Sequence, residues 1–338
     1  MISNMSNRQR TLIAAAIIGA LLLVLYILST APSRPSQPLS ITIAEAHQPV
    51  FALLYIAKEK GFFAEQNLNV TYRTFTSGRD ALEDVLAGKA DLATVYETPV
   101  VLHGAQGKDI KILSTLHKST NNTGLLARKD AGISQASDLV GKRIGVPFNT
   151  NAQFFLSLYL QSQGIEISDV KLLDIQPQHL EASLLSGQID AVSIWNPYLQ
   201  KINSRFEQEQ LLHFRSDVYT EMSVMAAMSK TTEVKQQAIT RLYAALVKAE
   251  QFLQNSPQQA LNLVLQQFNE QQQASIKDIW GGIEPTLALD YVLLNVLRGE
   301  AQWLFNQKVV STLKLNFEKL FHPEFLLKVK PYGVTVSH

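Results

Sequence analysis

Val85-Leu86-Ala87-Gly88-Lys89-Ala90-Asp91-Leu92-Ala93-Thr94-Val95-Tyr96-Glu97-Thr98-Pro99 has a counterpart about a hundred residues later, Leu184-Leu185-Ser186-Gly187-Gln188-Ile189-Asp190-Ala191-Val192-Ser193-Ile194-Trp195-Asn196-Pro197. Each copy ends a helix on glycine, which supplies the left-handed conformation that closes it. A short turn into Asp follows, then a run of small and apolar residues that reads as a buried strand. Each copy then meets a large aromatic, a polar side chain and a proline, and Pro is tolerated in the first turn of a new helix. The unit is therefore helix, strand, and a loop with an aromatic and a polar group at the strand's carboxyl end. In open α/β sheets ligands bind at that end. Two such units predict two α/β lobes that aim their loops into a common cleft.

Working outward, the alternation of strands and helices continues to about residue 228 and predicts mostly parallel sheets. Strands are expected at Ser40–Glu45, Leu68–Thr74, Ile110–Leu116, Gly124–Ala127 and Val170–Asp174. Helices are expected at Val50–Lys60, 79–87 and from Asn149-Thr150-Asn151 to about Gly164. Everything from Thr232 onward reads helical, with a break at Ser256-Pro257 because proline cannot continue a helix. At the other end, Arg8 and Arg10 precede an uncharged apolar run from Thr11 to about Leu28, followed by a Pro/Ser-rich tether to Leu39. The run is long enough to cross a thin hydrocarbon core, and the arginines place its N-terminal side in the cytoplasm. Residues 1–30 are expected to be a signal anchor or signal peptide, 31–39 a linker, 40–119 with 224–338 one lobe, and 120–223 the other.

Composition narrows the function. A chain of 338 residues with a net charge of +1 and no basic stripe argues against nucleic acid as a partner. It has no cysteine, so thiolate nucleophiles and thiolate metal sites are excluded. There is no G-x-S-x-G elbow, no phosphate loop and no G-x-G-x-x-G fingerprint, and the seven histidines form no H-x-x-x-H pair. No enzyme, cofactor or metal is expected. A binding protein fits better. Helix starts at Ser77-Gly78, Thr98-Pro99, Asn149 to Asn151 and Asn196-Pro197 would present N–H groups and dipoles to an anion. Each taken singly is an ordinary N-cap; their equivalent places in two lobes suggest a shared site. Trp195 and Tyr96 hold matching positions, Trp195 as a ligand wall. Glu97 and Glu221 would meet a ligand amine if they face the cleft, because an unpaired buried charge is costly. His47 and Gln48, after the first strand, are cleft candidates by position.

The stretches AKEKGFF (57–63), FTSGRDALEDVLAGKADLATVYETPVV (75–101), DLVGKRIGVPFNTNAQFFL (138–156) and SGQIDAVSIWNPYL (186–199) resemble the nitrate/sulfonate/taurine-type substrate-binding proteins of ABC importers. The resemblance covers roughly residues 40 to 250. It implies a two-lobed periplasmic-binding-protein type II fold with a helical C-terminal extension. It also implies a monomer that closes on a small solute and delivers it to a permease and its ATPase at the periplasmic face of a bacterial inner membrane. On this resemblance Gln48, Ser77, Gly78, Thr98, Asn151, Trp195 and Asn196 match ligand-contacting places, and Tyr219-Thr220-Glu221 is similar to a cleft-lining segment. Glu97 stands where several members have Asp or Gly, so the ligand does not carry over. A membrane-anchored sensor using the same binding domain is the competing expectation.

Overall fold

The computed structural model describes residues 37–336, apart from 208, 216 and 312–314, and nine helical positions between 8 and 21. Its contacts divide the chain into Met1–Pro38 and Leu39–His338, and every strand among the described residues belongs to the second unit. No helix among the described residues is long and apolar enough to cross a membrane. Much of the run expected to be the anchor, and most of the tether, lie outside the described residues.

In chain order the first elements are β1 (Leu39–Ala46), α1 (Ala52–Glu59), β2 (Leu68–Phe75), α2 (Gly78–Leu86), β3 (Leu92–Tyr96), α3 (Glu97–Ala105) and β4 (Ile110–Ser119). Then come β5 (Thr123–Arg128), β6 (Arg143–Val146), α4 (Asn151–Ser162), β7 (Lys171–Asp174), α5 (Pro177–Leu185), β8 (Ala191–Trp195), α6 (Tyr198–Asn203) and β9 (Leu211–Phe214). The chain continues through β10 (Glu221–Met228), α7 (Gln236–Asn255), α8 (Pro257–Leu265), α9 (Glu270–Ile279), β11 (Glu284–Ala288) and α10 (Tyr291–Asn306).

Two sheets result, ordered β11-β4-β10-β3-β1-β2 and β7-β6-β8-β5-β9. Each has its own core. Ile41, Ile43, Leu92 and Val95 are buried in the first together with Ile239, Leu242 and Leu246 of α7. Leu125, Ile144, Val192 and Ile194 are buried in the second. The architecture is the two-lobed α/β arrangement that the resemblance implies. The order β2-β1-β3-β10-β4 in one sheet corresponds to β7-β6-β8-β5-β9 in the other, and the two repeat strands, β3 and β8, hold the same place.

The expectation of mostly parallel sheets is corrected. β1, β2 and β3 pair in parallel, as do β6, β7 and β8. The neighbour of each repeat strand is antiparallel: β10 beside β3 and β5 beside β8. The physical reason is the route of the chain. β5 follows β4 of the first sheet and β10 follows β9 of the second, so each enters its new sheet from the cleft side. A second correction concerns the C-terminal third, which is not wholly helical. Glu284–Ala288 forms β11, an edge strand antiparallel to β4, and the last long helix starts only at Tyr291. Pro285 is acceptable there because an edge strand leaves one row of N–H groups unpaired anyway.

Candidate functional site

Both repeats deliver their loops to the carboxyl ends of β3 and β8, opposite the crossing strands. Tyr96 lies across from Ser223, and Trp195 across from Thr123. Glu221 stands two residues before Ser223 on the same face of β10, so a polar cluster forms where the sheets meet. The Glu221 carboxylate accepts from Thr123 N at 2.9 Å, Thr123 Oγ1 at 2.6 Å and Asn151 Nδ2 at 3.0 Å. These bonds tie the first sheet to the second, and Asn151 Nδ2 also donates to Thr123 Oγ1 at 3.0 Å. Burial pushes the Glu221 pKa up to about 7, held back by the donors of Thr123 and Asn151.

Glu97 is the first residue of α3 and has no exposed surface. Its Oε1 accepts from Met222 N at 3.1 Å, while Oε2 has no partner among the described residues. Thr98, next in the chain, donates its hydroxyl to Glu300 Oε1. Glu300 comes from α10, is equally buried, and its Oε2 is likewise unpartnered. Burial first, then the Glu300 carboxyl, hold Glu97 well above the usual carboxylate range, against the pull of backbone N–H groups. Burial raises Glu300 in the same way, opposed by the Thr98 bond. Tyr219 responds to the same field: after burial, Glu97, Glu221 and Glu300 in turn raise its phenol.

The remaining candidates take several positions. Ser77 caps α2, accepting from Asp80 N at 3.2 Å. Gly78 is required by packing, since a Cβ there would lie 2.8 Å from Val95 Cα. Asn149 adopts a left-handed φ of 58°, and its N–H donates to Gln153 Oε1 at 2.7 Å. Thr150 precedes α4, but its hydroxyl turns away to donate to Pro147 O at 2.7 Å. Gln48 is buried with neither amide atom partnered among the described residues. Trp195 and Asn196 are buried too, and Trp195 Nε1 and Asn196 Oδ1 have no partner among the described residues. His47 lies at the rim, bonded with Glu45 Oε1 at 2.8 Å and Gln267 O at 3.0 Å. It lines a cavity of about 210 Å³ with Pro197, Tyr198 and Lys201. A cavity of about 460 Å³, reaching Thr123, Asn196 and Arg215, opens beside the crossing strands.

Three groups in this cluster escaped the sequence reading. Asn122 Nδ2 donates to the Tyr96 hydroxyl at 2.8 Å. His117, across β10 from Tyr96, is fully buried with neither ring nitrogen partnered among the described residues, and burial pushes its pKa down to about 3. Glu300 did leave a signal: it interrupts the stripe Leu293, Leu297, Glu300, Leu304, whose other members are all buried apolar residues of α10. A carboxylate on an apolar face at helical spacing marks a polar neighbour.

A presumptive binding protein of Brucella abortus (strain 2308) is 29% identical over 213 residues, 62% of this chain and 65% of the relative. The chain thus spans just under two thirds of that relative's length. The taurine-binding periplasmic protein of Escherichia coli (strain K12) is 27% identical over 162 residues, 48% of this chain and 50% of the relative. The formylaminopyrimidine-binding protein of Halalkalibacterium halodurans is 26% identical over 267 residues, 75% and 79% of the two chains. Among solved structures, the alkanesulfonate-binding protein SsuA from Xanthomonas axonopodis pv. citri, bound to MOPS, superposes with a TM-score of 0.71 at 17% identity, covering 85% of this chain and 99% of SsuA. The desulfurization enzyme DszB, as a cysteine-to-serine mutant with biphenyl-2-sulfinic acid, shares the fold at a TM-score of 0.60 and 18% identity, covering 87% of this chain and 99% of DszB. The cysteine changed in that mutant has no counterpart in a chain without cysteine. The NMT1/THI5-like family model matches residues 48–260, more than half of the sequence, and the chain belongs to that family.

Proposed function

We propose that this protein is the solute-binding component of an ABC importer, working at the periplasmic face of a bacterial inner membrane and handing its solute to a permease and its ATPase. The solute is a small anionic or zwitterionic molecule of the sulfonate and taurine kind. It is held in the cleft between lobes formed by 40–119 with 224–338 and by 120–223. The observation that carries this reading is the buried polar seam at the ends of β3 and β8, where Glu221 reaches across to Thr123 and Asn151. Such a seam lets one conformation be stabilised by a ligand that touches both lobes, which is how closure couples to binding. Trp195, Asn196, Gln48 and Thr98 line the site, and the start of α4 contributes Asn151. The relatives named for taurine, formylaminopyrimidine and alkanesulfonate support a binding role.

The test is a thermal-shift screen of the full chain against sulfonates, taurine, nitrate, amino acids and pyrimidines, since a ligand of the folded state raises Tm. A rise of several degrees with at least one of them is expected. Turnover of any of them by the purified protein would sink the reading.

A further inference from the structure

Gln267 and Phe268 form the turn between α8 and α9, and a histidine holds that turn with both of its ring nitrogens facing acceptors. His47 Nε2 lies 3.0 Å from Gln267 O, and its Nδ1 lies 2.8 Å from Glu45 Oε1. A peptide carbonyl has no proton to give. Glu45 Oε1 acts as an acceptor too, taking the Tyr55 hydroxyl proton at 2.8 Å, whereas that hydroxyl is 3.4 Å from His47 Nδ1. A neutral imidazole has one N–H and satisfies one of these acceptors; the imidazolium satisfies both. In the neutral ring the carboxyl group keeps the N–H on Nδ1. A bare Nε2 then meets the Gln267 carbonyl, lone pair against lone pair.

The surroundings favour the proton. Burial works against it, but the bond to Glu45, the Glu45 charge and the Gln267 carbonyl together raise His47 above the ordinary histidine value, with Lys58 of α1 opposing them. Tyr72 of β2 lies in the field of the same Glu45, and Lys201 of α6, across the cavity, is paired with Glu181 at 2.6 Å. The Phe268 ring, itself buried, sits 4.6 Å from the imidazole.

The turn sets where α9 lies. The Gln267 side chain is held to α1 by exposed bonds, from Lys58 Nζ at 3.1 Å and to Glu59 Oε1 at 3.0 Å. Asn269 then caps α9, accepting from Gln272 N at 3.0 Å. The buried residue of α9 is Ile276, near its far end, so the start of the helix depends on the turn. There Gln271, Gln272 and Ser275 face Pro197, Tyr198 and Lys201 across the cavity of about 210 Å³ that His47 also lines.

We propose that His47 is a proton-operated catch on α9. Doubly protonated, it fastens the Gln267–Phe268 turn to β1 and α1 and keeps α9 close to α6; neutral, it releases the Gln267 carbonyl and frees the start of α9. The catch is fully set below the ordinary value of 6.5 and is lost as pH rises through the raised value of His47. It goes beyond the solute-binding reading and requires no solute.

Hydrogen exchange of the full chain, followed by mass spectrometry on peptides covering Gln267–Ile279, tests it against His47→Asn. That variant keeps a donor for Glu45, cannot reach Gln267 O and does not titrate. Comparing the two chains at the same pH cancels the intrinsic pH dependence of exchange. Near pH 5.5 the wild type should protect these amides about fivefold or more over the variant, and most of that advantage should be gone near pH 8.5. Glu45→Gln, which removes the charge beside the ring, should move the loss of protection to lower pH. If His47→Asn does not fold, the displacement between wild type and Glu45→Gln carries the test. Equal protection in wild type and His47→Asn near pH 5.5, an advantage that stays constant with pH, or a Glu45→Gln profile that coincides with wild type would each overturn the catch.

Discussion

Tyr96-Glu97-Thr98 and Trp195-Asn196-Pro197 end equivalent strands in sheets of equivalent order, each facing a hydroxyl residue on the crossing strand, Ser223 and Thr123. Beyond that point they diverge. The first runs directly into the nine-residue helix α3 and places a carboxylate on its first turn, which Met222 N and the neighbouring Glu300 complete as an acidic corner. The second passes through an amide and a proline before the six-residue α6, and its polar atoms are an indole N–H and an amide oxygen. A duplicated frame thus presents carboxyl groups from one side and an amide and aromatic surface from the other. A zwitterionic solute would have a defined orientation between them.

The largest effect expected from perturbing this pair is on the neutral side. Trp195 is 2% exposed and packed into the second core, with the Tyr198 ring 6.4 Å away. Trp195→Ala should cost about 3–5 kcal/mol of stability through the cavity it leaves, measured by urea unfolding. Trp195→Phe should retain much of that stability and lose only what the N–H gives the solute. If Trp195→Ala unfolds at the wild-type denaturant midpoint, the indole is not core and its role is confined to the ligand.

The next effect belongs to Glu221. Its folded pKa of about 7 lies above the ordinary carboxyl value, so the folded state holds a proton that the unfolded chain has released. The stability it contributes is full below about pH 4.5 and is lost as pH rises through about 7. Burial of His117 and His213 as neutral rings works in the opposite direction at lower pH, with pKa values near 3 and 4, but both are present in wild type and variant alike. The stability difference between Glu221→Gln and wild type should therefore shift in the variant's favour by on the order of 3 kcal/mol between pH 4.5 and pH 8. A difference that does not change with pH would mean that Thr123 and Asn151 hold Glu221 ionised throughout.

Glu97→Gln follows, read out as solute affinity. A hydrogen bond to a charged group contributes about 1.5–3 kcal/mol, so an amine-bearing solute should bind roughly tenfold to a hundredfold more weakly. Stability should not fall, since the amide oxygen can still accept from Met222 N. An unchanged affinity would remove the acidic corner from the site.

Much of this frame was legible in the sequence because glycine turns, short apolar runs and aromatic–polar–Pro endings are local signals, and they located β3, β8 and the loops after them. The antiparallel crossing strands were not legible. Glu221–Met228 and Thr123–Arg128 look like any buried strand, and only the chain's passage from one sheet to the other sets their direction. The same limit applies within the cluster. Asn151 and Glu221 are 70 residues apart, and Thr98 and Glu300 are 202 apart, so no spacing rule joins them. Glu300 was concealed by helical expectation, although a lone carboxylate in the stripe Leu293, Leu297, Leu304 was the available clue. Gly78 was read as a ligand contact, and the structure gives it a packing reason besides, the close approach of α2 to β3.

Asn196→Ala is the smallest expected change and the sharpest test of the contrast between the two strand ends. Asn196 borders the cavity of about 460 Å³, and its Oδ1 is buried with no partner among the described residues. Removing an unsatisfied acceptor leaves no donor stranded, so stability should hold or rise slightly. A neutral hydrogen bond to the solute contributes about 1 kcal/mol, so affinity should fall by less than tenfold, below the loss in Glu97→Gln. Calorimetry of both variants with the same amine-bearing probe measures the ratio directly. If Asn196→Ala loses as much affinity as Glu97→Gln, charge is not what separates the two ends, and the solute is held by hydrogen bonds spread evenly across the cleft.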